Sequence, residues 1–162
     1  DSHDAIYLIE AGTPTSEVTV SARMLPTTRP HLLSEQFADL CDGQLPAGAR
    51  VWEATRFCPA PSVPVGAPRG DMLGRMIAGI METALLFGID QVTYVADAAL
   101  APMALKVGWD VRALGAPRGK GRDRIQAFVA SIDGAGLKRV RDAFAISAPL
   151  TRFVPGDLAR AA

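Results

Sequence analysis

Met72-Leu73-Gly74-Arg75-Met76-Ile77-Ala78-Gly79-Ile80-Met81-Glu82-Thr83-Ala84-Leu85-Leu86-Phe87-Gly88, followed shortly by Gln91-Val92-Thr93-Tyr94-Val95-Ala96, decides how this chain folds. Apolar pairs recur every four residues at Met72/Leu73, Met76/Ile77, Ile80/Met81 and Ala84/Leu85. That is the stripe of a well-buried helix, and Gly88 supplies its stop. Past Gly88 the period changes, and the β-branched and aromatic run from Gln91 to Ala96 reads as a strand. A helix feeding a strand in this way marks a crossover unit of an α/β domain.

Working outward, Ala5 to Ile9 is a strand-like run, and Gly12-Thr13-Pro14-Thr15-Ser16 is a turn. Val18, Val20, Ala22 and Met24 then alternate with Glu17, Thr19, Ser21 and Arg23, which predicts an antiparallel hairpin with one polar face. Pro26 and Pro30 end the second strand, because proline cannot donate to a ladder. Leu33, Phe37 and Leu40 fall at helical spacing, and Arg50 to Phe57 reads as a strand closed by Pro59. The proline-rich stretch from Ala60 to Pro68 is a loop. Beyond the core helix, a helix is expected over 98–107, strands over 112–114 and 125–131, and a last amphipathic helix through Leu137, Val140, Arg141 and Phe144. The whole is a three-layer αβα sandwich with a mixed central sheet. Residues 1–153 form a single domain, and 154–162 a loose tail.

Composition narrows the function classes. The chain has 162 residues, 49% of them hydrophobic, enough for one compact core. Its 17 basic residues balance 17 acidic ones, so the overall field gives no reason to expect a nucleic-acid binder, and a charge-guided partner must use a local patch. No apolar run reaches the ~20 residues of a membrane span, and no signal peptide opens the chain, so a cytoplasmic protein is expected. Cys41 and Cys58 lack CxxC pairing, and His3 and His31 lack metal-ligand spacing, so neither a metal site nor a structural disulfide is expected.

Two stretches carry chemistry beyond the fold. One is Ala22-Arg23-Met24-Leu25-Pro26-Thr27-Thr28-Arg29-Pro30-His31, with Phe37 after it, and the other is Val51-Trp52-Glu53-Ala54-Thr55-Arg56-Phe57. Together they closely resemble the acyl-homoserine lactone (autoinducer) synthase family, with its Arg-hydrophobic-Leu-Pro-Thr-Thr-x-Pro and Trp-Glu-x-Ser/Thr-Arg-Phe runs. The resemblance continues through Val95-Ala96-Asp97, Gly108-Trp109 and Leu114-Gly115-Ala116-Pro117-Arg118. It implies a fold like that of the GCN5-type acetyltransferases. It also implies transfer of an acyl group from acyl carrier protein to the amine of S-adenosylmethionine, then lactonisation with release of methylthioadenosine, for quorum sensing. S-adenosylmethionine would be a substrate, and no cofactor is implied. Family members carry a further N-terminal segment closing over S-adenosylmethionine, and that segment is not found here.

Carried over residue by residue, the resemblance puts the family's acidic residue on Asp1, its strand arginine on Arg23, and its Glu-x-x-Arg-Phe on Glu53, Arg56 and Phe57. Chemistry agrees with the residue types. An ammonium must lose a proton before it attacks, which makes Glu53 a candidate base, and guanidinium groups at Arg23 and Arg56 can hold a carboxylate. On a regular strand Glu53 and Arg56 point to opposite faces, so either a bulge lies between them or they act on two sides of one crevice. Phe57 would line the pocket without reacting. The acyl chain is expected deeper, against Met72, Met76, Met81, Leu85, Thr93 and Tyr94, since methionines adapt to a flexible chain. Arg112, Arg118, Lys120, Arg122 and Arg124 form a basic cluster suited to docking the acidic carrier protein.

Other readings are weaker. Gly119-Lys120 lacks the remaining glycine and hydroxyl residue of a phosphate loop. A generic acyl-CoA-dependent N-acyltransferase should show a pyrophosphate loop ahead of its central helix, and Arg69-Gly70-Asp71-Met72-Leu73-Gly74 does not match one. A truncated or decayed synthase that binds acyl carrier protein without catalysis is the remaining alternative. Acyl length and oxidation at carbon three stay open.

Overall fold

The computed structural model describes residues 4–11, 17–62, 69–98, 108–121 and 124–152. Six strands, β1 (Ile6–Ala11), β2 (Val18–Pro26), β3 (Val51–Pro59), β4 (Gln91–Asp97), β5 (Val111–Ala113) and β6 (Ile125–Ser131), form one sheet in the order β1-β2-β3-β4-β6-β5. The expected hairpin is present, Ile6 pairing with Met24 and Tyr7 with Arg23. β2 pairs antiparallel with β3, β3 parallel with β4, and β4 and β5 antiparallel with β6, so the sheet is mixed as expected. The helix expected over 98–107 lies, but for Ala98, outside the described residues, as do Asp1, Arg122 and the tail from 153.

Both faces of the sheet are covered. The larger core lies between the sheet and helices α2 (Arg69–Leu86) and α3 (Gly134–Ala143), where Met76, Ile77, Ile80, Met81 and Ala84 meet Val20, Ala22, Met24, Val92 and Phe128. Apolar side chains falling on one stripe of α2 and on alternate strand positions bury themselves together, which fixes the orientation of every strand. A smaller cluster, Leu33, Leu40 and Ala127, lies on the other face beneath the short helix α1 (Leu32–Gln36) and a single 3-10 turn at Ala38–Leu40. Phe37, with φ −130, breaks what the sequence spacing suggests is one helix into these two pieces.

Two devices tie down the ends. The Asp133 carboxylate accepts from Gly136 N at 2.6 Å and caps α3. Glu82 on α2 is buried and accepts from Arg141 Nη2 at 2.6 Å, from Leu150 N at 2.9 Å, and from Thr151 N and Oγ1, each at 2.8 Å. Burial alone would raise its pKa, but the Arg141 bond and then those from Thr151 and Leu150 outweigh it and hold the carboxyl below the ordinary glutamate range.

The feature that positions a site is a gap in the middle of the sheet. β3 and β4 are paired only at Val51–Gln91, Trp52–Val92 and Glu53–Thr93, although β3 continues to Pro59 and β4 to Asp97. On its other side β3 is bulged. Ser21 faces Cys58 and Arg23 faces Thr55, so Arg56 and Phe57 together oppose Ala22. Arg56 takes the left-handed conformation there, φ 53, which is unusual for a residue with a side chain.

Candidate active site

Past Glu53 and Thr93 the two strands diverge and enclose a crevice of about 380 Å³. One wall is Ala54, Thr55, Arg56 and Phe57 of β3, and the other is Tyr94, Val95, Ala96 and Asp97 of β4. Leu73, Ile77 and Ile80 of α2 form its floor, and Trp109 and Phe144 close it. Alternation places Ala54 on the α2 side with the larger core. Tyr94 stacks flat on Trp109, centroids 5.7 Å apart, and on Phe128 at 5.3 Å, and its burial pushes the phenol pKa well up, so it stays protonated. A mostly apolar crevice of this kind suits an extended hydrocarbon chain.

Polar groups collect on the opposite face. Arg23 pairs with Tyr7 across one ladder and Thr55 across the other, so all three point to the α1 side. Arg23 Nε donates to Thr55 Oγ1 at 3.1 Å. The bulge swings Arg56 over the same face, where its Nη1 donates to the Tyr7 hydroxyl at 3.3 Å. The expected conflict between Glu53 and Arg56 is thus resolved by a bulge at Arg56 itself. The crevice therefore joins an apolar chamber on the α2 side to an arginine-bearing surface on the α1 side.

Glu53 departs from the free-standing base that its motif suggests. It is 1% exposed, and its two carboxylate oxygens accept from Leu32 N at 3.0 Å and Leu33 N at 2.6 Å. These are orphan N–H groups at the start of α1, so the carboxylate anchors that helix to β3. It does not line the crevice.

Phe57 and Tyr94 line the crevice. Thr93 does not. It is fully buried on the α1 face, and its hydroxyl donates to Trp52 O at 3.4 Å. Met76 is buried beside a second groove, between β1 and α2, and Leu85 is 38% exposed, so neither lines the crevice. Met72 and Met81 pack elsewhere in the core. The reason is rotational. The apolar stripe of α2 is two residues wide, one residue turns the helix by about 100°, and the row facing the crevice is Leu73, Ile77 and Ile80. Of the basic cluster, Arg112, Lys120 and Arg124 are exposed near the β5 edge. Arg118 forms an ion pair with Asp39 at 2.8 Å.

Two further contributors, Phe144 and Trp109, are not among the residues expected to line the site. Phe144 lies against Gly74, where an added Cβ would come within 2.3 Å of its ring. Trp109 follows Gly108, whose φ of 78 favours glycine and whose carbonyl accepts from Arg139 Nε at 3.0 Å. Among the described residues no group of three metal-ligating side chains comes together, and no described helix is long and apolar enough to cross a membrane.

The mixed six-stranded sheet with helices on its faces is a GCN5-type acetyltransferase-like fold. An N-acetyltransferase fold from Lactobacillus plantarum superposes with a TM-score of 0.52 at 15% identity, over 82% of this chain and 73% of that one. Residues 1–140 match the autoinducer synthase family, and the chain belongs to it. An acyl-homoserine-lactone synthase of Rhizobium etli is 28% identical over 110 residues, 67% of this chain and 51% of that protein, so the chain spans about half the length of such a relative. The structure of MesI, described as a CoA-dependent acyl-homoserine lactone synthase, is 28% identical with a TM-score of 0.78, covering 91% of this chain and 72% of that one. TofI, solved in a ternary complex with an inhibitor and MTA, is 28% identical with a TM-score of 0.73, over 86% and 71% of the two chains.

Proposed function

We propose that this chain is the acyl-transfer core of an N-acyl-homoserine lactone synthase, using S-adenosylmethionine and an acyl thioester. The single observation that carries the reading is the gap between β3 and β4, which sets an apolar chamber against an arginine-bearing surface. The acyl chain occupies the chamber, with the thioester carbonyl at the bulge. S-adenosylmethionine lies on the α1 side, its carboxylate toward Arg23 and Arg56. Asp1, six residues ahead of Tyr7 in the sequence, stays a catalytic candidate in this reading.

In the reaction, the deprotonated amine attacks the thioester carbonyl, the C–S bond breaks, and the thiol departs. The methionyl carboxylate then attacks the carbon bonded to the sulfonium, closing the lactone and expelling methylthioadenosine. Both steps use only the two substrates, and holding them in attack geometry supplies much of the acceleration. Glu53 acts as a positioning residue, fixing α1 against the strand that bears Arg56, and the amine proton passes to solvent at the crevice mouth.

For the acyl donor, the exposed Arg112, Lys120 and Arg124 favour acyl carrier protein. The likeness to MesI supports acyl-CoA as the second reading. The test is mass spectrometry of reactions of the full-length protein with S-adenosylmethionine and matched acyl-CoA and acyl carrier protein panels. The expected products are an acyl-homoserine lactone and methylthioadenosine in equal amounts, faster with the carrier protein. Products from CoA alone would replace the donor, and no lactone with either panel would overturn the function.

A further inference from the structure

We propose that Asp97 holds the amine of S-adenosylmethionine, so that the gap between β3 and β4 clasps an α-amino acid between a carboxylate on one wall and a guanidinium on the other. The inference rests on the reading that S-adenosylmethionine lies on the α1 side, and it adds the residue that answers the positive end of the amino acid. Asp97 ends β4 and is the one acid lining the crevice among the described residues.

Its side chain can be placed by counting along the strand. β4 pairs with β6 without a shift from Gln91 to Asp97, so side chains alternate between the faces over that length. Thr93 is buried on the α1 face, Tyr94 and Ala96 pack against the larger core, and Val95 packs against the smaller cluster. Asp97 therefore falls on the α1 face with Val95. Its ladder partner agrees, because Ile125 also packs against the smaller cluster and directly opposed residues share a face. Arg23, Thr55 and Arg56 lie on that same face, and Thr55, Arg56 and Asp97 line the crevice together.

Opposite charges thus stand on the two walls of one crevice. An α-amino acid carries its carboxylate and its amine on a single carbon, so both are engaged only where a cation and an anion face the same small volume. The Arg56 guanidinium supplies the first and the Asp97 carboxylate the second. The amine keeps N–H donors after the ammonium has lost its proton to solvent, so the bond to Asp97 survives into the attack and orients the nitrogen lone pair.

The test is calorimetric binding to the full-length protein and its Asp97→Ala variant. Three ligands are compared: S-adenosylmethionine, its analogue lacking the amino group, and methylthioadenosine, which lacks both the amine and the carboxylate. The side chain is exposed, so its removal leaves the core intact. The parent should bind S-adenosylmethionine about tenfold more tightly than the analogue, the scale of a hydrogen bond to a charged group. In Asp97→Ala that ratio should fall close to one, with methylthioadenosine binding unchanged. A ratio kept in the variant, a parent indifferent to the amine, or an equal loss for all three ligands overturns the proposal. Binding is read without turnover, so an amine preference that depends on Asp97 in a protein that makes no lactone would sink the synthase reading alone.

Discussion

The same two strands present opposite chemistry on the two faces of the sheet. On β3, Glu53 and Thr55 face α1 while Ala54 faces α2, and on β2, Arg23 and Ala22 divide in the same way. The α1 face holds the smaller buried cluster, and its Arg23, Glu53 and Arg56 belong to motifs that can be read from the sequence. The α2 face holds the larger core and the crevice, and its working residues are ordinary Leu, Ile, Phe and Trp. Charge is scarce in a fold interior and stands out in sequence, whereas apolar lining is built from the residues that also make the core. Specific chemistry is therefore legible one residue at a time, and shape only after the chain has folded.

Four substitutions test that division, all in the full-length protein. Arg56→Ala should have the largest effect, lowering lactone formation by about 10²-fold or more through lost substrate positioning. Because the side chain is exposed, unfolding by urea should hardly change. Equal losses of stability and activity would show that the polar face is structural. Glu53→Gln comes next. With one carboxylate oxygen replaced by a donor NH2 group, either Leu32 N or Leu33 N loses its acceptor in the same pose, so a stability loss of about 2 kcal/mol is expected in denaturant titration. Full stability with abolished turnover would return Glu53 to the role of proton acceptor.

Gly74→Ala probes the other face. The new methyl would overlap the Phe144 ring, which must shift toward the crevice, at about 1–2 kcal/mol of stability. Competition between long and short acyl donors should then favour the short ones, and an unchanged preference would remove Phe144 from the chamber wall. The smallest effect on turnover belongs to Glu82. Its folded carboxyl titrates below its unfolded value, so the stability it contributes is complete above the ordinary glutamate range and is lost as pH falls through the lowered folded pKa. Thermal melts of Glu82→Gln should therefore lack part of the acid decline of the parent, with methylthioadenosine release per folded molecule unchanged.

The strands, the hairpin and the core helix follow from periodicity. Two-residue alternation from Val18 to Met24 and the four-residue repeat from Met72 to Leu85 leave little choice of element. Met76 and Leu85 lie off the crevice because a stripe two residues wide does not say which row meets which neighbour. Thr93 lies off the crevice through register, since one residue separates it from Tyr94 and the opposite face. The anchoring role of Glu53 depends on where α1 begins in space, which no local pattern encodes. Glu82 went unread because it interrupts an apolar stripe, where a lone acid resembles a surface position. Its partners at Arg141 and Thr151 lie 59 and 69 residues away.

The three-pair ladder between β3 and β4 also predicts how the protein opens. Central strands are ordinarily the best protected part of a sheet, with amides that exchange only on global unfolding. Here the amides of residues 54–57 and 94–97 that face the gap have no partner strand across it, although they lie in the middle of the molecule. Deuterium should enter this interior seam ahead of the flanking hairpin ladders, and an occupant of the crevice should slow it. The site would then be visible as a fast-exchanging line through the centre of an otherwise slow sheet.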